Sequence, residues 1–211
     1  MDLNRPLAVV TPTLDGDVLY RLALVDAAFT PGRLQQLIPT ASVDGVRRSL
    51  NRLAAQGVVE AESTAHAFTY RLNRDHVAAG PVLQLAKLWD VVLERITKTL
   101  GGWGHPPTYA AVFGSWARRE AGPTSDVDLF LVRPESVPDQ AWDEQIEGIE
   151  RELTRWTGND ARAFVLTESQ VHEHPDDPVL RSVVVDGLTV RGDRDWLANH
   201  VGTAATGGGL S

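Results

Sequence analysis

The chain of 211 residues contains no cysteine. That absence excludes disulfides, thiolate zinc sites and a cysteine nucleophile. It contains no run of 18 apolar residues, and no charged segment followed by a short apolar stretch opens it. Neither a membrane span nor a secretory leader is therefore expected, and the reading is a soluble, cytoplasmic protein without a membrane role. A basic surplus is also missing: 20 Lys and Arg stand against 28 Asp and Glu, a net charge of −8. The phosphate backbone repels such a chain as a whole, so any nucleic-acid contact must come from a local basic face. The deficit is C-terminal, because residues 1–80 balance eight basic against eight acidic side chains and residues 81–211 hold 12 against 20.

With 43% hydrophobic residues, the chain can bury the core of one large or two small domains. No internal repeat is visible. The one low-complexity stretch, GTAATGGGLS at 202–211, reads as a flexible tail.

Within 15–28, Val18, Leu19, Leu22 and Val25 recur at helical spacing behind an acidic first turn, which predicts a first helix. Thr30-Pro31 places a capping hydroxyl before a proline at the first helical position and predicts a short second helix to about Ile38. Ser42 caps a third, with Val46, Leu50, Leu53 and Ala54 inward and Gly57 at its end. Val58-Val59, a polar stretch EAESTAHA and the alternating Phe68, Tyr70 and Leu72 then predict a two-stranded wing. After Pro81, Val82, Leu85, Trp89, Val92, Leu93, Ile96 and Leu100 predict one long amphipathic helix carrying the chain between domains. GGWGHPP, 101–107, marks the break after it.

The second half alternates apolar strand patterns, TYAAVF at 108–113, DVDLFLV at 126–132 and RAFVLT at 162–167, with a helix over 141–156. PVLRSVVV reads as a helix behind Asp177-Pro178, GLTVRG as a short strand and DRDWLANHV as a short last helix. The fold class is α/β or α+β. The division is a winged helix-turn-helix domain over 1–80, a linking helix and hinge over 81–104, a mixed sheet with helices over 105–201, and the tail.

A strand ending at Phe113 delivers Gly114 and Ser115 into a turn, where a glycine lets a phosphate approach backbone N–H groups closely. Asp126 and Asp128 follow, and residues two apart in a strand point to one face. Two such carboxylates repel each other unless a cation joins them, and hard oxygen ligands suit Mg²⁺.

Gly114, Ser115, Ala117, Arg118, Glu120, Ala121, Ser125, Asp126 and Asp128, in that order, resemble the signature of the minimal nucleotidyltransferases of the DNA polymerase β superfamily. The resemblance is specific over 108–132 and weaker to about 200. It implies that Asp126 and Asp128 are catalytic and ligate Mg²⁺. It implies further that Gly114 and Ser115 hold the β- and γ-phosphates of a nucleoside triphosphate, ATP first, with Arg118 and Ser125 completing the nucleotide site. The implied reaction is attack of an acceptor hydroxyl on the α-phosphate with release of pyrophosphate. The family also carries a third carboxylate in the middle of a following strand, where ARAFVLT offers Arg162, Ala163 and Phe164. Asp160 and Glu168 flank that strand, and four extended steps of about 3.3 Å put Asp160 roughly 13 Å from Phe164. Two readings follow: an enzyme transferring a nucleoside monophosphate to a hydroxyl of a protein, RNA or small molecule, or a transcriptional regulator whose degenerate domain senses a nucleotide.

On the third helix Arg47, Arg48, Asn51 and Arg52 lie opposite Leu50 and Leu53, with Asp44 as the one acid. Arginine and asparagine read base edges in the major groove and grip phosphates. Arg71, Arg74 and His66 on the wing add backbone contacts. Helix, helix, helix, wing resembles the winged-helix transcriptional regulators over 15–75. That resemblance implies double-stranded DNA as partner and a homodimer, with the apolar face of the 81–100 helix as candidate interface. His172 and His174 near Asp176 and Asp177 read as a polar turn rather than a metal site, and Trp89, Trp103, Trp142, Trp156 and Trp196 as core packing.

Overall fold

The computed structural model describes residues 1–63 and 67–201, so the expectations on His66 and on the 202–211 tail lie outside the described residues. The chain separates into two compact units, one holding Asp2 and residues 4–89, the other Met1, Leu3 and the chain from Asp90 onward.

The N-terminal unit carries α1 (Leu14–Leu24), α2 (Pro31–Gln36), α3 (Val43–Ala55), the hairpin β1 (Val59–Ser63) and β2 (Phe68–Leu72), and α4 (Ala79–Ala86). Local chemistry sets its boundaries. The Thr30 hydroxyl accepts from Arg33 N–H at the start of α2, and Ser42 Oγ from Gly45 N–H at the start of α3. Gly57, at φ +77, ends α3 in the left-handed region that a side chain resists. Val18, Leu22, Leu34, Val46, Leu50, Val59, Tyr70, Leu72 and Val82 form one buried cluster. The strand β1 reaches further than expected: Glu60, Ala61, Glu62 and Ser63 of the polar stretch pair antiparallel with Arg71, Tyr70, Thr69 and Phe68. An exposed face tolerates those acids, and Arg71 pairs with Glu60 across the hairpin at 2.6 Å.

The long helix expected over 81–100 is two helices. α4 ends at Lys87 (φ −102°, ψ 13°), and α5 runs from Leu88 to Gly101. Pro81 lies inside the first turn of α4, where its missing N–H costs nothing. Val82 is buried in the N-terminal core, while Val92, Ile96 and Leu100 of α5 are buried as well. The apolar stripe offered as a dimer interface is therefore consumed within the chain.

In the second unit β3 (Tyr109–Phe113), β4 (Val127–Arg133), β5 (Ala161–Thr167) and β6 (Leu188–Arg191) form a mixed sheet in the order β5-β4-β3-β6. β4 pairs parallel with β5, and β3 antiparallel with both β4 and β6. The connection from β4 to β5 is α7 (Asp139–Thr157), which packs on both strands. α8 (Glu168–Glu173), α9 (Pro178–Asp186) and α10 (Trp196–Val201) complete the unit. Val171, Leu180, Val183 and Leu197 from these three helices bury Tyr109, Ala111, Phe130 and Val132. Period-two alternation then places Asp128, two residues before Phe130, on that same face at one end of the sheet. Among the described residues no helix is long and apolar enough to cross a membrane.

Candidate functional site

β3 and β4 meet so that Phe113, the last residue of β3, lies opposite Asp128. The next residue, Gly114, turns the chain at φ +68 into the single helical turn α6 (Gly114–Ala117). A Cβ on Gly114 would stand 2.6 Å from Asp128 Oδ2, closer than any real side chain sits to an oxygen. The left-handed backbone resists a side chain here, and a Cβ would also push the Asp128 carboxylate out of its present position. Ser115 follows in the same turn, half-buried, its carbonyl accepting from Glu120 N–H.

Asp126 precedes β4 and Asp128 is its second residue, so only one of the two lies in the ladder itself. The two carboxylates nevertheless share a site. Partial burial pushes the Asp128 carboxyl above its ordinary range, the charge of Asp126 pushes it further, and Arg162 pulls it back. Arg162 is the residue of β5 in register with Asp128, and its Nε stands 3.1 Å from Asp126 Oδ2. A cation therefore occupies the strand position beside the aspartates. Neither flanking acid replaces it: the Glu168 carboxylate accepts from Thr108 at 2.5 Å, before β3 begins and thus at the opposite end of the sheet. Asp160, whose carbonyl accepts from Val127 N–H at 2.7 Å, adds no third ligand to the pair. Among the described residues no group of three or more acidic or histidine side chains could hold a metal, His172 and His174 included.

The loop that delivers Asp126 is fastened by a residue the sequence analysis passed over. Asn159, 2% exposed, donates from Nδ2 to the carbonyls of Gly122 at 2.9 Å and Ser125 at 2.8 Å. Its own N–H donates to Thr157 Oγ1, and its Oδ1 accepts from the Met1 amine. Ser125 uses its hydroxyl to accept from Gly122 N–H at 3.0 Å, closing the turn from within. Buried polar residues next to a functional loop are a usable signal, but the partners of Asn159 lie 34 and 37 residues away and no spacing announces them. Arg118 is engaged outside this cluster, its guanidinium 2.9 Å from Glu120 and 3.4 Å from Asp186.

In the N-terminal unit Arg47, Arg48, Asn51 and Arg52 are all exposed on α3. Their face is less basic than the sequence suggests. Asp44 pairs with Arg47 at 2.8 Å, and Asp15 of α1, a second acid, pairs with Arg52 at 2.6 Å. Asn51 accepts from the Tyr70 hydroxyl at 3.0 Å. Arg71 is paired with Glu60 and Glu62, and Arg74 with Asp26. Among the described residues Arg48 alone of these arginines has no ion-pair partner.

Residues 92–182 match the family model described as "Nucleotidyltransferase domain", a span that takes in β3, α6, β4, α7 and β5. No curated protein matches the chain. Among solved structures, a toxin-antitoxin with AMP-PNP is 15% identical over 54% of this chain and 84% of that one, at a TM-score of 0.41. A tri-AMPylated Shewanella oneidensis HEPN toxin in complex with MNT antitoxin is 16% identical over 56% and 86%, at 0.39. The toxin-antitoxin MntA-HepT is 14% identical over 55% and 86%, at 0.38. TM-scores this low carry neither fold nor function to this chain. The family match and the sheet stand without them, and the Gly114 turn, both aspartates and Arg162 all lie within the segment that is similar to the nucleotidyltransferase domain.

Proposed function

We propose that the C-terminal unit binds a nucleoside triphosphate, ATP first, together with Mg²⁺ at Asp126 and Asp128, and transfers the nucleoside monophosphate to an acceptor hydroxyl. The observation that carries this reading is the Asp128 carboxylate, which lies against the left-handed turn at Gly114 and feels the charge of Asp126. The residues fit the ion chemically: they offer hard oxygen donors, and their mutual repulsion is relieved by a cation. Two carboxylates leave most of an octahedral shell to phosphate oxygens and water, as is usual for Mg²⁺. Bound there, the ion would neutralise phosphate oxygens and make the α-phosphorus more open to attack.

The chain's own groups have separate tasks in this reading. Gly114 keeps the space in front of Asp128 clear for a ligand, and Gly114 and Ser115 present their N–H groups to phosphate oxygens. Asn159 and Ser125 hold the loop so that Asp126 stays beside Asp128. Incubating the protein with labelled ATP, CTP, GTP and UTP, Mg²⁺ and cell extract tests the proposal. Label transfer that disappears in Asp126→Ala is expected; no transfer, or transfer that Asp126→Ala leaves unchanged, defeats the enzyme. A specific observation favours the second reading, a nucleotide sensor without transfer: Arg162 stands where a third acid would complete the site. Triphosphate binding without label transfer would select it.

For the N-terminal unit, we propose a winged-helix module that places α3 in the major groove of double-stranded DNA. Three helices followed by an antiparallel hairpin, with Arg47, Arg48, Asn51 and Arg52 exposed on the third, support it. The ion pair of Arg47 with Asp44 is exposed on both sides and worth about 0.2–1 kcal/mol, so exchange of that pair for phosphate is inexpensive. Binding to DNA upstream of its own gene should fall with salt at a log–log slope of about −0.9 per phosphate contacted. Arg47→Ala with Arg48→Ala should flatten that slope; unchanged affinity removes the DNA reading.

A further inference from the structure

We propose that Arg162 is a resident counter-ion that leaves Asp126 when a divalent ion enters and then binds the triphosphate, so that metal entry and phosphate capture are coupled through one side chain. The inference deepens the nucleotide-binding reading above and rests on it.

Three features of the site lead there. First, placement: Arg162 is in register with Asp128, and Phe164, two residues on, stacks on Phe130 with ring centroids 6.1 Å apart. Arg162 therefore projects from the same face of the sheet as the aspartates. Second, freedom: β5 is an edge strand, and the Arg162 side chain is 74% exposed, against 34% for Asp126. Nothing buried holds the guanidinium, and water receives it readily when the pair opens. Third, competition: among the described residues Asp126 is the one ion-pair partner of Arg162, and it is also the carboxylate a metal would take. Arg118 is held by two acids and Arg119 by Asp90. Of these three, Arg162 is the arginine whose partner the metal removes.

A divalent ion and a guanidinium cannot both be satisfied by the same half-buried carboxylate, and the doubly charged ion wins when phosphate oxygens help to hold it. The displaced guanidinium then lies beside the position where those phosphates arrive. Its planar fork of donors matches phosphate in two parallel hydrogen bonds, which an ammonium cannot do.

Two binding measurements on the full chain test the coupling without any need for turnover. Mn²⁺ binding in the absence of nucleotide is read from the electron paramagnetic resonance of the free ion. Binding of a non-hydrolysable ATP analogue in the presence of Mg²⁺ is read by calorimetry. In Arg162→Gln, Mn²⁺ should bind about two- to five-fold more tightly, the range set by losing one exposed competing ion pair. The analogue should bind about ten-fold or more weakly, as expected for losing charge-assisted phosphate bonds. Arg162→Lys should keep the parent's Mn²⁺ affinity but recover little of the analogue affinity. Arg162 is exposed, so these changes spare the fold, and matching circular dichroism spectra check it. Mn²⁺ affinity that is unchanged or lower in Arg162→Gln, or analogue affinity equal to the parent's, overturns the proposal. Failure of the underlying reading looks different: the parent binds neither ligand, and Asp126→Asn behaves as the parent does.

Discussion

Replacing Asn159 probes the link between a buried amide and the loop that carries Asp126. Asn159→Ala removes the Nδ2 donors to the carbonyls of Gly122 and Ser125, bonds of 2.9 and 2.8 Å, together with the Oδ1 acceptor of the Met1 amine, whose loss adds to the share of the two loop bonds. A net hydrogen bond is worth about 0.5–1.5 kcal/mol, so two give roughly 1–3 kcal/mol. Both loop residues are half-buried, and water can reach them once the loop moves, which keeps the loss inside that range. For a protein of this size about 2 kcal/mol lowers Tm by roughly 4–8 °C. The assay is calorimetric melting with the two units' transitions separated, since a two-unit chain need not melt in one step. Asn159→Asp is the sharper variant. It keeps the shape but turns a donor into an anion facing two carbonyls, and it should cost more than alanine. Ser125→Ala deletes only the bond from Gly122 N–H and should cost about 0.5–1.5 kcal/mol. Mn²⁺ affinity should fall with Asn159→Ala, because Asp126 is no longer held beside Asp128. A loss under about 0.5 kcal/mol with Mn²⁺ binding intact, or an aspartate no worse than alanine, would refute the idea that this amide holds the site together.

Of three further predictions, two concern the same corner and one concerns α7. Gly114→Ala forces a left-handed conformation on a side chain and drives Cβ against Asp128 Oδ2; it should destabilise by about 1–3 kcal/mol and abolish Mn²⁺ binding. The same exchange at Gly148, in open space within α7, should instead stabilise by about 0.5–1 kcal/mol in denaturant unfolding. Asp128→Asn should raise stability at neutral pH while removing Mn²⁺ binding. The sign follows from the raised Asp128 pKa, caused first by burial and then by Asp126. Between the unfolded and folded pKa values the native state binds more protons, so the parent loses stability as pH rises through that window. Below the unfolded value both variants are neutral at this position and their stabilities should converge; a difference that persists there contradicts the assignment.

What sequence reasoning recovered was local. Thr30-Pro31, Ser42 and Asp177-Pro178 announce helix starts because the capping atoms and the helix they cap sit within three residues of each other. The apolar run after Asp128 announces β4 because a strand covered on both faces needs apolar residues throughout. The turn at Gly114 was legible for the same reason. The break at Lys87 was not: no glycine or proline stands at 86–88, and the apolar spacing continues through it. That spacing reports which residues are buried, and it is silent on whether they are buried in one core or two.

Charge was misread for a related reason. On α3 the sequence displays three arginines and one acid within ten residues, a surplus that looks ready for phosphate. Asp15 reaches that face from 37 residues away, and Glu60 and Glu62 reach Arg71 across the hairpin. The C-terminal site errs in the opposite direction: two aspartates look like an uncompensated negative pair until the parallel register of β4 and β5 brings Arg162 alongside, 34 residues after Asp128. Acid and base partners of opposite sign attract, so an excess read along a short stretch is offset where folding brings in a partner from a distant segment. The functional consequence is the same in both units. On the readings proposed above, a ligand would displace an internal partner before binding, and because the arginines of these pairs lie at the surface, the displacement would tune affinity by small factors.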